Sequence, residues 1–208
     1  SVTSLPLQVD AEHRVLILPP EVRLGHGSEE IAEIVLEGIL DAGGPSFLSG
    51  APVSELLERE GARHGVRQLV YRVETAVFSN TSPPSVANLR QVVSCASDVL
   101  NDVGEGRVSF ILVSSVRRRS SVSGGSDRWR VFGAVLAIDD AGIEAVTALR
   151  RNKVVDEGDS IREPTRIGEM LATMLFGLTS QDEEQADEPA ALDESEHQGP
   201  DIEALYSE

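Results

Sequence analysis

The most strand-like part of the chain lies between residues 107 and 151, where apolar and β-branched residues are concentrated in three runs. The runs cover residues 108–116, 127–138 and 143–151, and short clusters of Gly, Ser and Asp separate them. Runs of this kind, bounded by turn-forming residues, are typical of consecutive β-hairpins. The sequence therefore predicts an antiparallel three-stranded meander.

The first two runs are apolar on both faces. In the first, Phe110 and Leu112 point to one side of the strand, and Ile111 and Val113 point to the other. A strand with two apolar faces needs cover on both sides, so helices from elsewhere in the chain must pack on this sheet. Gly133 interrupts the second run and indicates either a bulge or the close approach of a helix.

The region before the meander begins with a β-α-β pattern. Residues 14–18 form a short run that is fully apolar after Arg14, and Pro19 ends it because proline cannot donate to a strand ladder. Ser28 is placed to cap a helix whose apolar stripe continues until Gly43. Residues 45–48 are predicted to form a second short strand.

Four further segments carry apolar residues at the helical spacing of three and four. They are residues 54–61, 66–78, 86–103 and 165–177. The β-branched content of residues 66–78 leaves both a helix and a strand open for that segment. The elements together predict the order β-α-β-α-α-α-β-β-β-α, an α/β (α+β-like) fold in which helices pack on a mixed sheet.

Charge is distributed unevenly along the 208 residues, whose formal net charge is −17. Residues 181–208 contain eleven Asp or Glu and no Lys or Arg. Low hydrophobicity with unbalanced charge cannot offset chain entropy, so this segment is predicted to be a disordered acidic tail. We expect an extended or disordered lead over residues 1–13 and a single folded domain over residues 14–180.

Candidate chemistry is sparse. The four histidines are scattered, and the single cysteine, Cys95, has no Cys or His near it in the sequence, so no metal site or disulfide framework is indicated. We expect no catalytic, cofactor-binding or metal-binding residues. The loop from Gly25 to Ser28 precedes a helix and could hold an anion, which leaves a small nucleotide- or phosphate-binding protein or a hydrolase as the alternative function.

A basic cluster at one end of the meander is the strongest candidate site. Arginines with an exposed aromatic side chain are typical of interface anchors. The predicted partner-binding residues are Arg117, Arg118, Arg119, Arg128, Trp129 and Arg130. A solvated hairpin tip is the plain alternative, and nucleic acid is disfavoured because the chain as a whole is acidic.

The chain also resembles a group of bacterial envelope domains. The resemblance covers residues 14–178 and rests on the Leu-Pro that ends the first strand, the Ser-Glu-Glu-Ile-Ala-Glu helix start at Ser28, the Phe-Ile-Leu-Val-Ser-Ser-Val run from Phe110, and the hairpin strand ending Ala-Ile-Asp at Asp139. The group comprises CsgG-like and LpoB-like domains with the related TolB N-terminal-like and FlgO-like domains.

The resemblance implies a non-enzymatic protein-binding or assembly module in the bacterial envelope or periplasm, acting as an activator, a scaffold or a secretion-associated component. Its partner would be an envelope enzyme or further copies of itself; a cytoplasmic location is the alternative. No run of about 18 apolar residues is present to span a membrane. The sequence starts at Ser1 rather than Met, so we expect that a signal or lipid-anchoring segment could precede it.

Overall fold

A computed structural model describes residues 6–9, 13–59, 65–79, 108–119, 127–139, 142–155 and 162–178. The described residues form six strands and four α-helices. The strands are β1 (Arg14–Ile17), β2 (Glu21–Arg23), β3 (Phe47–Ser49), β4 (Val108–Arg119), β5 (Asp127–Asp139) and β6 (Gly142–Val155). The helices are α1 (Ser28–Gly43), α2 (Ala51–Arg59), α3 (Val66–Ser79) and α4 (Arg162–Phe176), and a short 3₁₀ turn, Gly44–Ser46, precedes β3.

The strands form one mixed sheet with the order β3-β1-β4-β5-β6. β4, β5 and β6 are antiparallel neighbours, which confirms the predicted meander. β1 and β2 both run parallel to β4 along its other edge, β1 beside the first half of β4 and β2 beside the second. The α/β class with a mixed sheet is therefore confirmed.

Helices cover both faces of the sheet, as the two-sided apolar pattern requires. On one face, α2 and α3 pack over a first core, which consists of Leu16, Leu18, Val53, Leu57, Val66, Leu69, Val70, Val73, Ile111, Val113, Phe132, Ala134, Leu136 and Ala148. On the other face, α1 and α4 pack over a second core: Val15, Ile17, Val35, Ile39, Phe47, Leu112, Val116, Trp129, Val131, Val135, Val155, Ile167, Leu171, Ala172, Leu175 and Phe176. Alternate residues of β4 and β5 thus point into different cores.

Two glycines let α1 and α4 come into direct backbone contact. A Cβ atom on Gly168 of α4 would lie 2.4 Å from the carbonyl oxygen of Val35 and 2.9 Å from the backbone nitrogen of Ile39. A Cβ atom on Gly38 of α1 would lie 2.8 Å from the carbonyl oxygen of Thr165. Neither position has room for a side chain, so the crossing of these helices depends on glycine.

Gly133 allows the close approach of a helix, which is the second of the two roles predicted for it. A Cβ atom there would lie 2.6 Å from Cδ2 of Leu171 and 3.0 Å from Cδ1 of Leu175, so the missing side chain admits α4 onto the sheet. The register shift in β5 comes two residues later, between Val135 and Leu136.

Several predictions need correction or fall outside the described residues. Residues 66–79 form a helix, which decides between the helix and the strand that the sequence left open. The short strand β2 was not predicted. Ser28 is inside α1 and does not cap it; Gly27, with φ of 76°, takes the N-cap position without a side-chain cap. The predicted helix 86–103 and the acidic tail 181–208 lie outside the described residues.

Part of the predicted lead is attached to the domain. The backbone N–H of Leu7 donates to the carbonyl oxygen of Leu175 at 2.9 Å, and Leu7 and Val9 pack against the core under α1 and α4. The domain boundaries at residues 13 and 180 stay predictions. Among the helices that the structure describes, none has both the length and the apolar character needed to cross a membrane.

Candidate functional site

The candidate site lies where β4 and β5 approach their connecting hairpin. The register of the two strands pairs Arg117 with Arg130 and Arg119 with Arg128. Because residues two apart in a strand share a face, these four arginines all lie on the α3 side of the sheet. We call these four residues, Arg117, Arg119, Arg128 and Arg130, the arginine surface.

The structure divides the six predicted partner-binding residues between the two faces of the sheet. Arg118 and Trp129 pair with each other and lie on the side of α4, away from the arginine surface. Trp129 is only 7% exposed, so the expectation of an exposed tryptophan is wrong. The reason is the alternation of side chains along β5. Trp129 lies on the same face of the strand as Val131 and Val135, and all three pack into the α4-side core.

One buried carboxylate organises the border of the arginine surface. Glu74 of α3 is 6% exposed, and its Oε2 lies 3.3 Å from Nη2 of Arg117. Its Oε1 accepts a hydrogen bond of 3.3 Å from Nη2 of Arg150, which reaches across from β6. Glu74 therefore ties α3 to two strands of the meander and positions two guanidinium groups.

The Arg117 contact is an ion pair rather than a well-directed hydrogen bond. Although Oε2 of Glu74 lies within ion-pair distance of Arg117, it has no hydrogen-bond donor among the described residues. The buried Nε atoms of Arg117 and Arg130 likewise have no acceptor among those residues. Buried donors without acceptors cost free energy, so the arginine surface retains hydrogen-bonding capacity that the described part of the chain does not use.

Tyr71 is the exposed aromatic side chain at this site. It lies on α3, one turn before Glu74, and is 58% exposed. The guanidinium carbon of Arg117 lies 5.8 Å from the centre of its ring, and Arg150 similarly stacks at 3.9 Å on the ring of Phe78. Tyr71 could not be recognised as a site residue from the sequence because it is distant in sequence from the hairpin, and only the packing of α3 on β4 brings the two together.

A second acidic residue lies beside the arginine surface, on β2. Oε1 of Glu21 accepts hydrogen bonds from Nε of Arg67 at 2.6 Å and from Nε of Arg23 at 3.2 Å. Glu21 is therefore already paired with two arginines and does not neutralise the hairpin. Within the described residues, Arg119, Arg128 and Arg130 have no ion pair with a carboxylate.

On the opposite face of the hairpin, one carboxylate lies close to two cations. Lys153 pairs with Trp129 in the sheet, and its Nζ lies 3.3 Å from Oε1 of Glu163 at the start of α4. Arg166 is within 3.8 Å of the same carboxylate. Arg119, Arg128 and Arg130, which have no ion pair with a carboxylate among the described residues, all lie on the α3 side.

At the alternative site, the loop before α1, the Ser28 hydroxyl makes its hydrogen bonds within the loop. The Ser28 hydroxyl donates to the carbonyl oxygen of Gly25 at 2.7 Å and accepts from the backbone N–H of Leu24 at 3.1 Å. These contacts shape the turn and occupy the Ser28 hydroxyl, and a phosphate site at this loop stays a prediction. Within the described ranges, no group of three or more His, Cys, Asp or Glu could hold a metal ion.

The Glu74 contacts lead to a stability prediction. Glu74→Gln keeps the side-chain volume but removes the charge that faces Arg117 and Arg150, so it should lower the free energy of unfolding by about 1–2 kcal/mol, less than for a fully buried pair because both arginines are partly exposed. Urea unfolding of the full chain measures this. Glu37→Gln, on the exposed side of α1, is the control, and equal midpoints for the two variants would show that Glu74 has no organising role.

Comparison of the sequence with models of known protein families gave no match, and comparison with curated proteins gave none either. Among solved structures, a PelC dodecamer from Paraburkholderia phytofirmans is similar, with 7% identity and a TM-score of 0.47 over 85% of this chain and 96% of that one. The hypothetical protein CT253 from Chlamydia trachomatis has 12% identity and a TM-score of 0.45 over 80% and 97% of the two chains.

Lipoprotein GNA1162 from Neisseria meningitidis is also similar, with 12% identity and a TM-score of 0.38 over 77% of this chain and 99% of that one. None of these three bacterial proteins is described as CsgG-like or LpoB-like, so that narrower resemblance stays a prediction. The TM-scores and identities are too low for these likenesses to decide the function of the chain.

Proposed function

We propose that this chain is a non-enzymatic protein-binding module that binds an acidic segment of its partner through the arginine surface and Tyr71. The setting that we propose is the bacterial envelope, with a role as activator, scaffold or secretion-associated component, as the sequence resemblance implies. The partner is an envelope enzyme or a second copy of this chain.

The observation that carries the proposal is the pairing of arginine with arginine at two successive positions on one face of the hairpin. Like charges directly opposite each other destabilise an antiparallel pair. Glu74 offsets part of this repulsion at Arg117, but among the described residues no carboxylate does so for Arg119, Arg128 or Arg130. Local conflicts of this kind are expected where a surface is shaped for a ligand rather than for stability.

The composition of the surface favours a protein ligand. Arginine and tyrosine are among the residue types that are enriched at the positions that dominate binding energy in protein interfaces. Arg117 is held between Glu74 and the Tyr71 ring, so little side-chain entropy would be lost when it meets a partner. Guanidinium groups bind carboxylates with two parallel hydrogen bonds, which makes an acidic segment the fitting partner.

Charge reversal tests the proposal. Arg119→Glu with Arg128→Glu changes two exposed residues of the arginine surface. The full-length variant and the wild type are immobilised, and proteins retained from a nuclease-treated lysate of the source organism are quantified by mass spectrometry. A protein retained by the wild type is then purified, and we expect its affinity for the variant to be lower by at least about tenfold, which corresponds to about 1.4 kcal/mol.

The matched control is Arg151→Glu with Arg162→Glu, which makes the same change in net charge at two exposed residues outside the arginine surface. The control should bind as the wild type does, and both variants should keep the far-UV circular dichroism and melting temperature of the wild type. Equal affinity of all three proteins for the purified partner would contradict the proposal. A parallel capture from an untreated lysate tests for nucleic acid: retention that is seen only without nuclease would identify the ligand as nucleic acid and would contradict the proposal too.

A further inference from the structure

We propose that the acidic segment of the same chain, residues 181–208, binds the arginine surface and competes there with the partner. This inference rests on the proposed function, because it names a built-in ligand for the same surface. It extends that function by giving the chain a means of limiting its own affinity.

The two features are complementary in charge. The arginine surface contributes four cations to one face of the hairpin, and Arg150 adds a fifth beside it. Among the described residues, the carboxylate of Glu74 pairs with two of these five, Arg117 and Arg150. Residues 181–208 contain eleven carboxylates and no Lys or Arg. No other stretch of the chain has so many acids without a basic residue.

The segment is long enough to reach the surface. α4 begins beside Lys153 at the arginine end of the sheet and runs to Phe176, whose ring packs 4.8 Å from that of Phe47 near the other edge. Fifteen helical residues span about 22 Å, so Leu178 lies roughly that far from the hairpin end, on the opposite side of the sheet. Thirty residues follow Leu178, and a flexible chain of that length would have a root-mean-square span of about 30 Å.

Attachment makes weak contacts effective. An exposed Arg–carboxylate contact is weak on its own. A tethered ligand, however, is present at an effective concentration of the order of millimolar, and several such contacts form together. A surface that is occupied by its own segment for most of the time binds a competitor with an apparent dissociation constant raised by about threefold to tenfold.

The test compares two full-length chains. In one, the eleven acids of residues 181–208 are replaced by Asn or Gln; the other is the wild type. The probe is a fluorescein-labelled synthetic peptide with the wild-type sequence of residues 181–208, and its binding is followed by fluorescence anisotropy at 20 mM and 500 mM NaCl. We expect the peptide to bind the neutralised chain about threefold to tenfold more tightly at low salt, and the difference to disappear at high salt, where screening is strong.

Two variants locate the binding. Arg119→Glu with Arg128→Glu in the neutralised chain should abolish peptide binding, whereas Arg151→Glu with Arg162→Glu should leave it intact. Equal peptide affinity for the neutralised and wild-type chains would overturn the inference while leaving the arginine surface as an acid-binding site. No peptide binding to either chain would also overturn it, and loss of partner binding in the lysate experiment would still decide the proposed function separately.

The remaining alternative is a segment that binds a second copy of the chain instead of its own surface. Sedimentation velocity on the wild type and the neutralised chain distinguishes the two arrangements. A self-association that the wild type shows and the neutralised chain lacks would overturn binding within one chain. A monomeric wild type together with weaker peptide binding supports it.

Discussion

Replacing Gly168 with valine should lower the free energy of unfolding by about 3 kcal/mol or more, out of a total of about 5–15 kcal/mol that is typical of a domain. The first side-chain atom would lie 2.4 Å from the carbonyl oxygen of Val35, and the obstacle is backbone, which cannot move aside as a flexible side chain would. The helices α1 and α4 must therefore separate, and the α4-side core would lose packing along its length. Urea unfolding of the full chain measures the loss.

Two further variants distinguish the effect of the contact between α1 and α4 from the effect of helix propensity. Glu169→Val places the same β-branched residue on the exposed side of the same helix and should cost no more than about 0.5 kcal/mol. Gly168→Ala would stabilise an uncrowded helix by about 1 kcal/mol, so a loss of stability on that change is diagnostic of the contact. A stabilising Gly168→Ala would show that α1 and α4 are not in backbone contact.

Leu112→Ala should cost about 2–5 kcal/mol. Leu112 is fully buried at the centre of β4, between Ile17 on one neighbouring strand and Val135 on the other, under the helices α1 and α4. Removing its side chain leaves a cavity that the paired strands on both sides prevent from collapsing. Thermal and urea unfolding should both report the change.

Val154→Ala is the matched control, because Val154 is an exposed apolar residue of the same sheet. It should change stability by no more than about 0.5 kcal/mol. If the two substitutions had equal effects, β4 would not be the central strand of a covered sheet.

Most of the fold could be predicted because its signals are local. Apolar runs with turn residues between them predict the meander, and the two apolar faces of residues 110–113 predict helices on both sides of the sheet. Gly133 was a useful marker since a glycine inside an apolar strand has few roles. The strand β2 was not predicted because three residues of mixed polarity show no periodic pattern. It forms a strand through its pairing with β4, which is distant in the sequence.

The candidate site could be predicted only in part, because only some of its contacts are between residues that are close in the sequence. The register that brings Arg117 opposite Arg130 follows from a hairpin of the predicted kind. Strand alternation also determines that Trp129 lies on the opposite face from Arg128 and Arg130, but which of these faces is covered depends on where α4 packs. The contact of Tyr71 and Glu74 with the arginines joins segments more than forty residues apart, and no local pattern contains it.

The parallel pairing of β1 with β4 has a consequence for how the chain folds. Arg14 lies beside Val108, so this pairing closes a loop of more than ninety residues, whereas β4, β5 and β6 meet through neighbouring turns. Loops of that length slow folding, and the local hairpins are expected to form before β1 docks. During synthesis, which proceeds from the N-terminus, β3 follows β1 closely and can pair with one of its edges, but the edge of β1 that pairs with β4 is expected to wait until β4 has been made. Pro19 and Pro20 directly after β1 limit the length of strand that could pair wrongly during this wait.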